Sequence, residues 1–185
     1  LYPFHSLKAM MNLLGSHDTP RIFEISKGDV KRLKLAIAFQ MCFIGAPHIY
    51  YGDEIAMEGG KDPDNRRPFN WNWENNPVAG DLRNFYKELI SIRKAHPTLC
   101  EGHFAFIPAP DKIIAFQREL KGEKILVFLN TEAESIAIEL AEYFVKELNL
   151  SDVPIYLLPP AIVVHGGPGI IEVCCFEVNL TNTKP

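Results

Sequence analysis

No apolar run in this chain approaches the roughly 20 residues that a membrane-spanning helix needs, so it carries no candidate span of that kind. Positive charge is not in excess either. Nineteen Lys and Arg stand against 23 Asp and Glu, a formal net charge of -4, which argues against a nucleic-acid partner. Metal-ligand spacing is missing from the 4 cysteines, Cys42, Cys100, Cys174 and Cys175. Adjacent Cys174 and Cys175 would face opposite ways on a strand, so all four read as reduced, structural thiols. There is no internal repeat, no low-complexity tract and no signal-peptide pattern. The first residue is Leu1 rather than methionine, which reads as the middle of a longer chain. A cytoplasmic location is the expectation.

What is present is an ordinary globular composition, 47% hydrophobic and 23% charged over 185 residues, enough for one or two packed cores. Residues 10–14 form a short apolar run ending at Gly15 and predict a buried strand. Residues 15–26 read as a polar loop. Val30, Leu33, Ile37, Met41 and Ile44 recur at helical spacing behind Asp29, a natural N-cap, so a helix is predicted over residues 29–44. Residues 48–51 predict a second buried strand between Pro47 and Gly52. About thirty residues without periodicity follow (52–80), and loops of that length in compact domains tend to be functional. Leu82, Phe85, Leu89 and Ile92 then mark an amphipathic helix over 81–96, with Pro97 past its end.

Beyond Pro97 the texture changes. Short strands are predicted at 102–107, 112–119, 124–129, 135–140, 155–158, 161–164 and 170–178, with a short helix at 141–148. The fold class is therefore α/β plus all-β, with residues 1–97 as two βα units and 98–185 as an all-β domain. Two βα units cannot close a barrel, so the first part reads as a piece of something larger.

Two loops carry the chemistry. Asn12-Leu-Leu-Gly-Ser-His-Asp-Thr-Pro-Arg21 sets His17 and Asp18 just past a strand, at the end of the sheet where parallel α/β barrels keep their active sites. Such a pair also fits an exposed loop whose Asp caps a helix. Gly45-Ala-Pro-His-Ile-Tyr-Tyr-Gly-Asp-Glu54, followed by Gly59-Gly-Lys-Asp-Pro-Asp-Asn-Arg-Arg-Pro-Phe-Asn-Trp71, puts a second polar and aromatic loop at the next strand end. A carboxylate and a planar guanidinium suit polyhydroxylated rings. Arg21, Asp53, Glu54 and Arg67 are read as structural, Glu54 as half of a loop-anchoring ion pair. Tyr50, Tyr51, Trp71 and Trp73 are either sugar-stacking platforms or packing residues, with the tryptophans the better platform candidates.

Together these segments resemble the alpha-amylase family of glycoside hydrolases, family 13, in its neopullulanase, cyclomaltodextrinase and maltogenic amylase branch. The resemblance is sharp over residues 12–21 and 47–71 and only architectural beyond. It implies that the first part is the last two βα units of a (β/α)8 TIM barrel, strands seven and eight, followed by a C-terminal antiparallel β-sandwich. It implies that His17 bonds sugar hydroxyls at the cleavage subsite and that Asp18 is the third carboxylate of the catalytic trio, stabilising the charged transition state. Asp62 and Arg66 would contact the same ring. The partner implied is an α-glucan such as a maltooligosaccharide, a cyclodextrin or pullulan. No cofactor or metal is called for, although calcium in a longer parent protein stays open.

Retaining cleavage needs a nucleophile and a general acid about 5 Å apart. By the resemblance both lie on earlier strands, so this chain alone is expected to be an inactive C-terminal fragment. Its exposed barrel edges are expected to drive self-association. A transglycosylase of the same family, a non-catalytic carbohydrate-binding homologue and a free-standing binding module remain as alternatives.

Overall fold

Asp29 decides where the first long helix begins. Its carboxylate accepts hydrogen bonds from the backbone N–H groups of Lys31 at 3.0 Å and Arg32 at 3.1 Å, so it is the N-cap that the sequence marks. In the computed structural model, which describes residues 2–111, 113–130, 155–157 and 173–179, the chain divides into two compact units, Leu1–Ala95 and His96–Pro185.

The first unit contains α1 (Phe4–Ala9), β1 (Met11–Leu13), α2 (Ile22–Ile25), α3 (Val30–Cys42), β2 (Ala46–His48) and α4 (Pro77–Ala95). Between β2 and α4 lie three single 3-10 turns, Asp53–Ile55, Asp64–Arg66 and Trp73–Asn75. β1 and β2 pair in parallel, with Asn12 opposite Pro47 and α3 as the crossover. Gln40, buried on α3, donates its amide to the carbonyls of Asn12 at 2.8 Å and His48 at 2.9 Å and so fastens both strands to the helix. α3 packs on α4. Leu33, Ile37 and Met41 from one and Leu82, Phe85 and Leu89 from the other are all buried, and each such side chain contributes about 1.5–3 kcal/mol. Arg93 on α4 donates to the carbonyls of Met41, Phe43 (3.2 Å) and Gly45 (2.6 Å), covering the end of α3 where intrahelical partners run out.

Several expectations need correction here. β1 is not buried: Met11 is 60% and Leu13 50% exposed, because the face they share is left uncovered by the described residues. β2 lies at Ala46–His48 rather than 48–51, and Tyr50 and Tyr51 belong to the turn beyond it. Pro47 is tolerated in the pairing with β1 because the Ala46 N–H donates to Met10 (2.8 Å), which turns the Pro47 nitrogen away from β1. The loop after β1 includes the short helix α2. α4 starts at Pro77, four residues early, since Asn76 accepts from the Val78 N–H at 3.0 Å and Pro77 stands in the first turn. Pro97 does more than end a helix: it opens another, α5 (Pro97–Glu101).

In the second unit α5 precedes one antiparallel sheet of β3 (His103–Phe106), β4 (Ile113–Leu120), β5 (Glu123–Asn130), β6 (Ile155–Leu157) and β7 (Val173–Asn179), in the order β3-β4-β5-β7-β6. Lys121 (φ 51) and Gly122 (φ 90) turn β4 into β5, the paired positive φ values of a two-residue hairpin whose twist matches its strands. Ile125, Leu126, Val127, Phe128 and Leu129 are buried without alternation, so both faces of β5 are covered. Arg118, fully buried on β4, donates to the carbonyls of Leu99 (2.6 Å) and Gly102 (3.0 Å) at the end of α5. The strands expected at 135–140 and 161–164 and the helix at 141–148 lie outside the described residues.

Candidate functional site

The polar loops after β1 and β2 meet over a buried arginine. Arg21 is fully buried, and its backbone N–H donates to the Gly59 carbonyl at 2.9 Å. Its Nη1 donates to the Tyr51 carbonyl and to Asp53 Oδ1, the latter at 3.3 Å. The guanidinium carbon sits 4.2 Å from the Tyr50 ring centroid and 4.5 Å from that of Tyr51, close enough for cation–π attraction. Gly15 admits the other partner, since a Cβ there would run into the Asp53 carboxylate. Burial pushes the Asp53 carboxyl from its ordinary 3.8 up to about 6, against the opposing pull of Arg21.

Asn65 is the second buried tie. It lies between two exposed charged neighbours, yet it is fully buried. Its Nδ2 donates to the carbonyl of His17 at 2.7 Å and to that of Thr19 at 2.9 Å. The backbone that carries His17 and Asp18 is thus held directly by the loop that carries Asp62 and Arg66. Sequence reasoning assigned Asn65 no part, because nothing in its spacing tells a buried asparagine from an exposed one. Arg21 Nε and Nη2 and Asn65 Oδ1 are buried and have no hydrogen-bond partner among the described residues.

Above these ties stand the exposed pairs. His17 Nε2 lies 3.3 Å from Asp18 Oδ1. Their loop is pinned by its own hydroxyls: the Ser16 N–H donates to Thr19 Oγ1 and the Asp18 N–H to Ser16 Oγ, both at 3.1 Å. Asp18 caps no helix, since α2 begins after Arg21 without a side-chain cap. Arg66 Nε lies 2.7 Å from Asp62 Oδ1. Arg67 bonds Asp64 in a fork, Nε to Oδ1 at 2.7 Å and Nη2 to Oδ2 at 2.8 Å, and this holds the Asp64 carboxyl below its usual range. Each of the four sequence-marked side chains is therefore exposed and set against its pair-mate. The two pairs are joined through Asn65.

Glu54 departs from the expected ion pair: its carboxylate accepts from the Gly52 backbone N–H at 2.7 Å. The aromatics divide. Tyr51 donates its hydroxyl to the Arg67 carbonyl at 3.0 Å, and Trp73 packs on the cluster of Ile55, Met57 and Ala79. Trp71 is 81% exposed. Among the described residues no group of three or more His, Cys, Asp or Glu is placed to hold a metal ion, and no helix is long and apolar enough to cross a membrane. The assembly is an open rim of paired acids and bases, chemically suited to hydrogen-bonding a neutral polyhydroxylated ligand.

Residues 4–81 match the model of the alpha amylase catalytic domain. The chain is 43% identical to a cyclomaltodextrinase of Thermoanaerobacter pseudethanolicus over 82% of its own length and 27% of the relative's. It is 40% identical to neopullulanase 2 of Thermoactinomyces vulgaris, over 72% and 23% respectively. A solved cyclomaltodextrinase structure superposes with a TM-score of 0.67 and 30% identity, covering 96% of this chain and 30% of the other. The chain spans about a quarter of the length of the curated relatives it matches. With the two loops and these similarities in hand, residues 4–81 are identified as part of an alpha-amylase catalytic domain.

Proposed function

We propose that this chain supplies part of the sugar-gripping rim of a retaining glycoside hydrolase acting on α-glucans, of the cyclomaltodextrinase and neopullulanase type. The observation that carries the reading is the Asn65 tie, with Nδ2 bonded to the carbonyls of His17 and Thr19. A ring held by one exposed pair then lies within reach of the other. In this reading His17, Asp62 and Arg66 bond hydroxyls of a single glucose unit. Asp18 bonds hydroxyls too and stabilises the oxocarbenium-like charge that develops as the glycosidic bond breaks. Asp18 neither attacks nor protonates. Those steps need a nucleophile and a general acid, which we assign to residues of a longer protein outside this chain.

The same reading makes the first unit the last two βα units of a (β/α)8 barrel and the second a β-sandwich. The exposed edge of β1 supports it, since a barrel strand requires a neighbour on each side. The full chain is expected to show no turnover of starch or cyclodextrin. In a longer protein that contains it, Asp18→Asn is expected to lower kcat by more than roughly 100-fold with the fold intact. Turnover by the purified chain itself, or unchanged kcat in that variant, contradicts the assignment.

A further inference from the structure

Trp71 is the most exposed large apolar side chain among the described residues, 81% accessible, and it follows Arg66 by five positions on the same loop. Its neighbour Trp73 shows that this loop can pack an indole inward, for Trp73 is half-buried on Ile55, Met57 and Ala79 and carries the Arg83 guanidinium 4.9 Å from its ring centroid. Trp71 is turned outward but is not loose. Its ring and that of Phe69 form an edge-to-face pair, with centroids 4.8 Å apart and planes at 61°. Phe69 in turn packs on the Ile55 cluster, so the exposed indole is braced by a ring anchored in the core.

An indole braced by one neighbouring ring and still 81% exposed offers electron-rich ring surface to solvent. The complementary surface is the patch of C–H bonds, made electropositive by neighbouring oxygens, on the face of a pyranose ring. A rigid aromatic with only two side-chain torsions loses little freedom when such a ring stacks on it. Upstream, Asp62 and Arg66 are placed to meet hydroxyls, so the loop pairs hydroxyl recognition with a flat apolar platform. Five residues of chain reach at most about 18 Å, which keeps the platform within a few sugar units of that pair. We infer that Trp71 is a stacking platform for a further glucose unit of an α-glucan, beyond the unit gripped by the four rim residues. This rests on the α-glucan reading above.

The test uses the full chain with maltoheptaose as the probe. Trp73→Phe leaves Trp71 as the single tryptophan, because the sequence holds 2. Maltoheptaose is expected to shift its emission to the blue and to saturate at the Kd that calorimetry gives for the unmodified chain. Trp71→Ala, at an exposed position, is expected to keep the fold by circular dichroism and to raise that Kd about fivefold or more. Calorimetric binding with no change in emission, or a Kd within about twofold of the unmodified chain's in Trp71→Ala, overturns the platform and leaves the α-glucan reading standing. If the unmodified chain does not bind maltoheptaose at all, the α-glucan reading fails and the platform with it. Where Trp73→Phe disturbs the packed cluster, calorimetry on Trp71→Ala still decides.

Discussion

Arg118 and Arg21 are both fully buried arginines, one in each unit, and they are used in opposite ways. Arg118 gives two nitrogens to the Leu99 and Gly102 carbonyls at the end of a helix, as Arg93 does for α3. Both of these bonds run to backbone, and what they secure is a helix end against a sheet. Arg21 gives one nitrogen to Asp53 and the Tyr51 carbonyl, lies against two tyrosine rings, and keeps Nε and Nη2 without partners among the described residues. What it secures is a meeting of two loops with charged pairs on their outer side. In the proposed reading, a buried charge marks a binding rim only where other buried polar groups, here Asp53 and Asn65, gather beneath exposed ones.

Truncating the two arginines tests that contrast most strongly. Arg21→Ala strands Asp53 in the interior and is expected to cost about 3–5 kcal/mol in denaturant unfolding. Arg118→Ala leaves two carbonyls short of donors and is expected to cost less, about 1–3 kcal/mol. If Arg118→Ala proved the more damaging, the two side chains would not differ in the way described. Asn65→Ala comes next: losing both bonds to the first loop is expected to cost about 1–3 kcal/mol and to weaken malto-oligosaccharide binding. Full binding by a folded Asn65→Ala chain would show that the loops do not depend on this tie.

Asp53 sharpens the comparison through pH. A carboxyl whose folded pKa stands above its unfolded value holds its proton more tightly in the folded chain. Its contribution to stability is therefore complete below its ordinary 3.8 and is lost as pH rises through about 6. Asp53→Asn is expected to flatten the dependence of Tm on pH over that interval, whereas a residual slope equal to the unmodified chain's would place the titration elsewhere. The smallest effect on stability belongs to the rim. Asp62→Asn removes an exposed ion pair and is expected to shift stability by less than about 1 kcal/mol, while weakening sugar binding.

Much of this was legible in the sequence because local chemistry decides it. Asp29 as a cap, the apolar stripe of Leu33, Ile37 and Met41, and the short strands that follow Pro97 come from short-range rules. The two loops were legible through the residue types in His17-Asp18 and in the segment from Asp62 to Arg66. Burial was the harder property. The apolar run around β1 reads as core, yet its exposure depends on which neighbours cover it, and among the described residues only β2 pairs with it as a strand. The start of α4 was missed because Asn76-Pro77 looks like loop until the Asn76 side chain is seen accepting from Val78. Asn65 was missed for a related reason: its neighbours in sequence are charged and exposed, and its own burial is a tertiary fact.

That both loops hold one glucose unit is tested most directly by a double-mutant cycle on maltotriose binding, read by calorimetry on the full chain. Asp18→Asn and Arg66→Ala are each expected to raise Kd by roughly tenfold or more, and the double variant to fall short of the product of the two. Two independent, fully multiplicative effects, or variants that bind as the unmodified chain does, would contradict a shared grip.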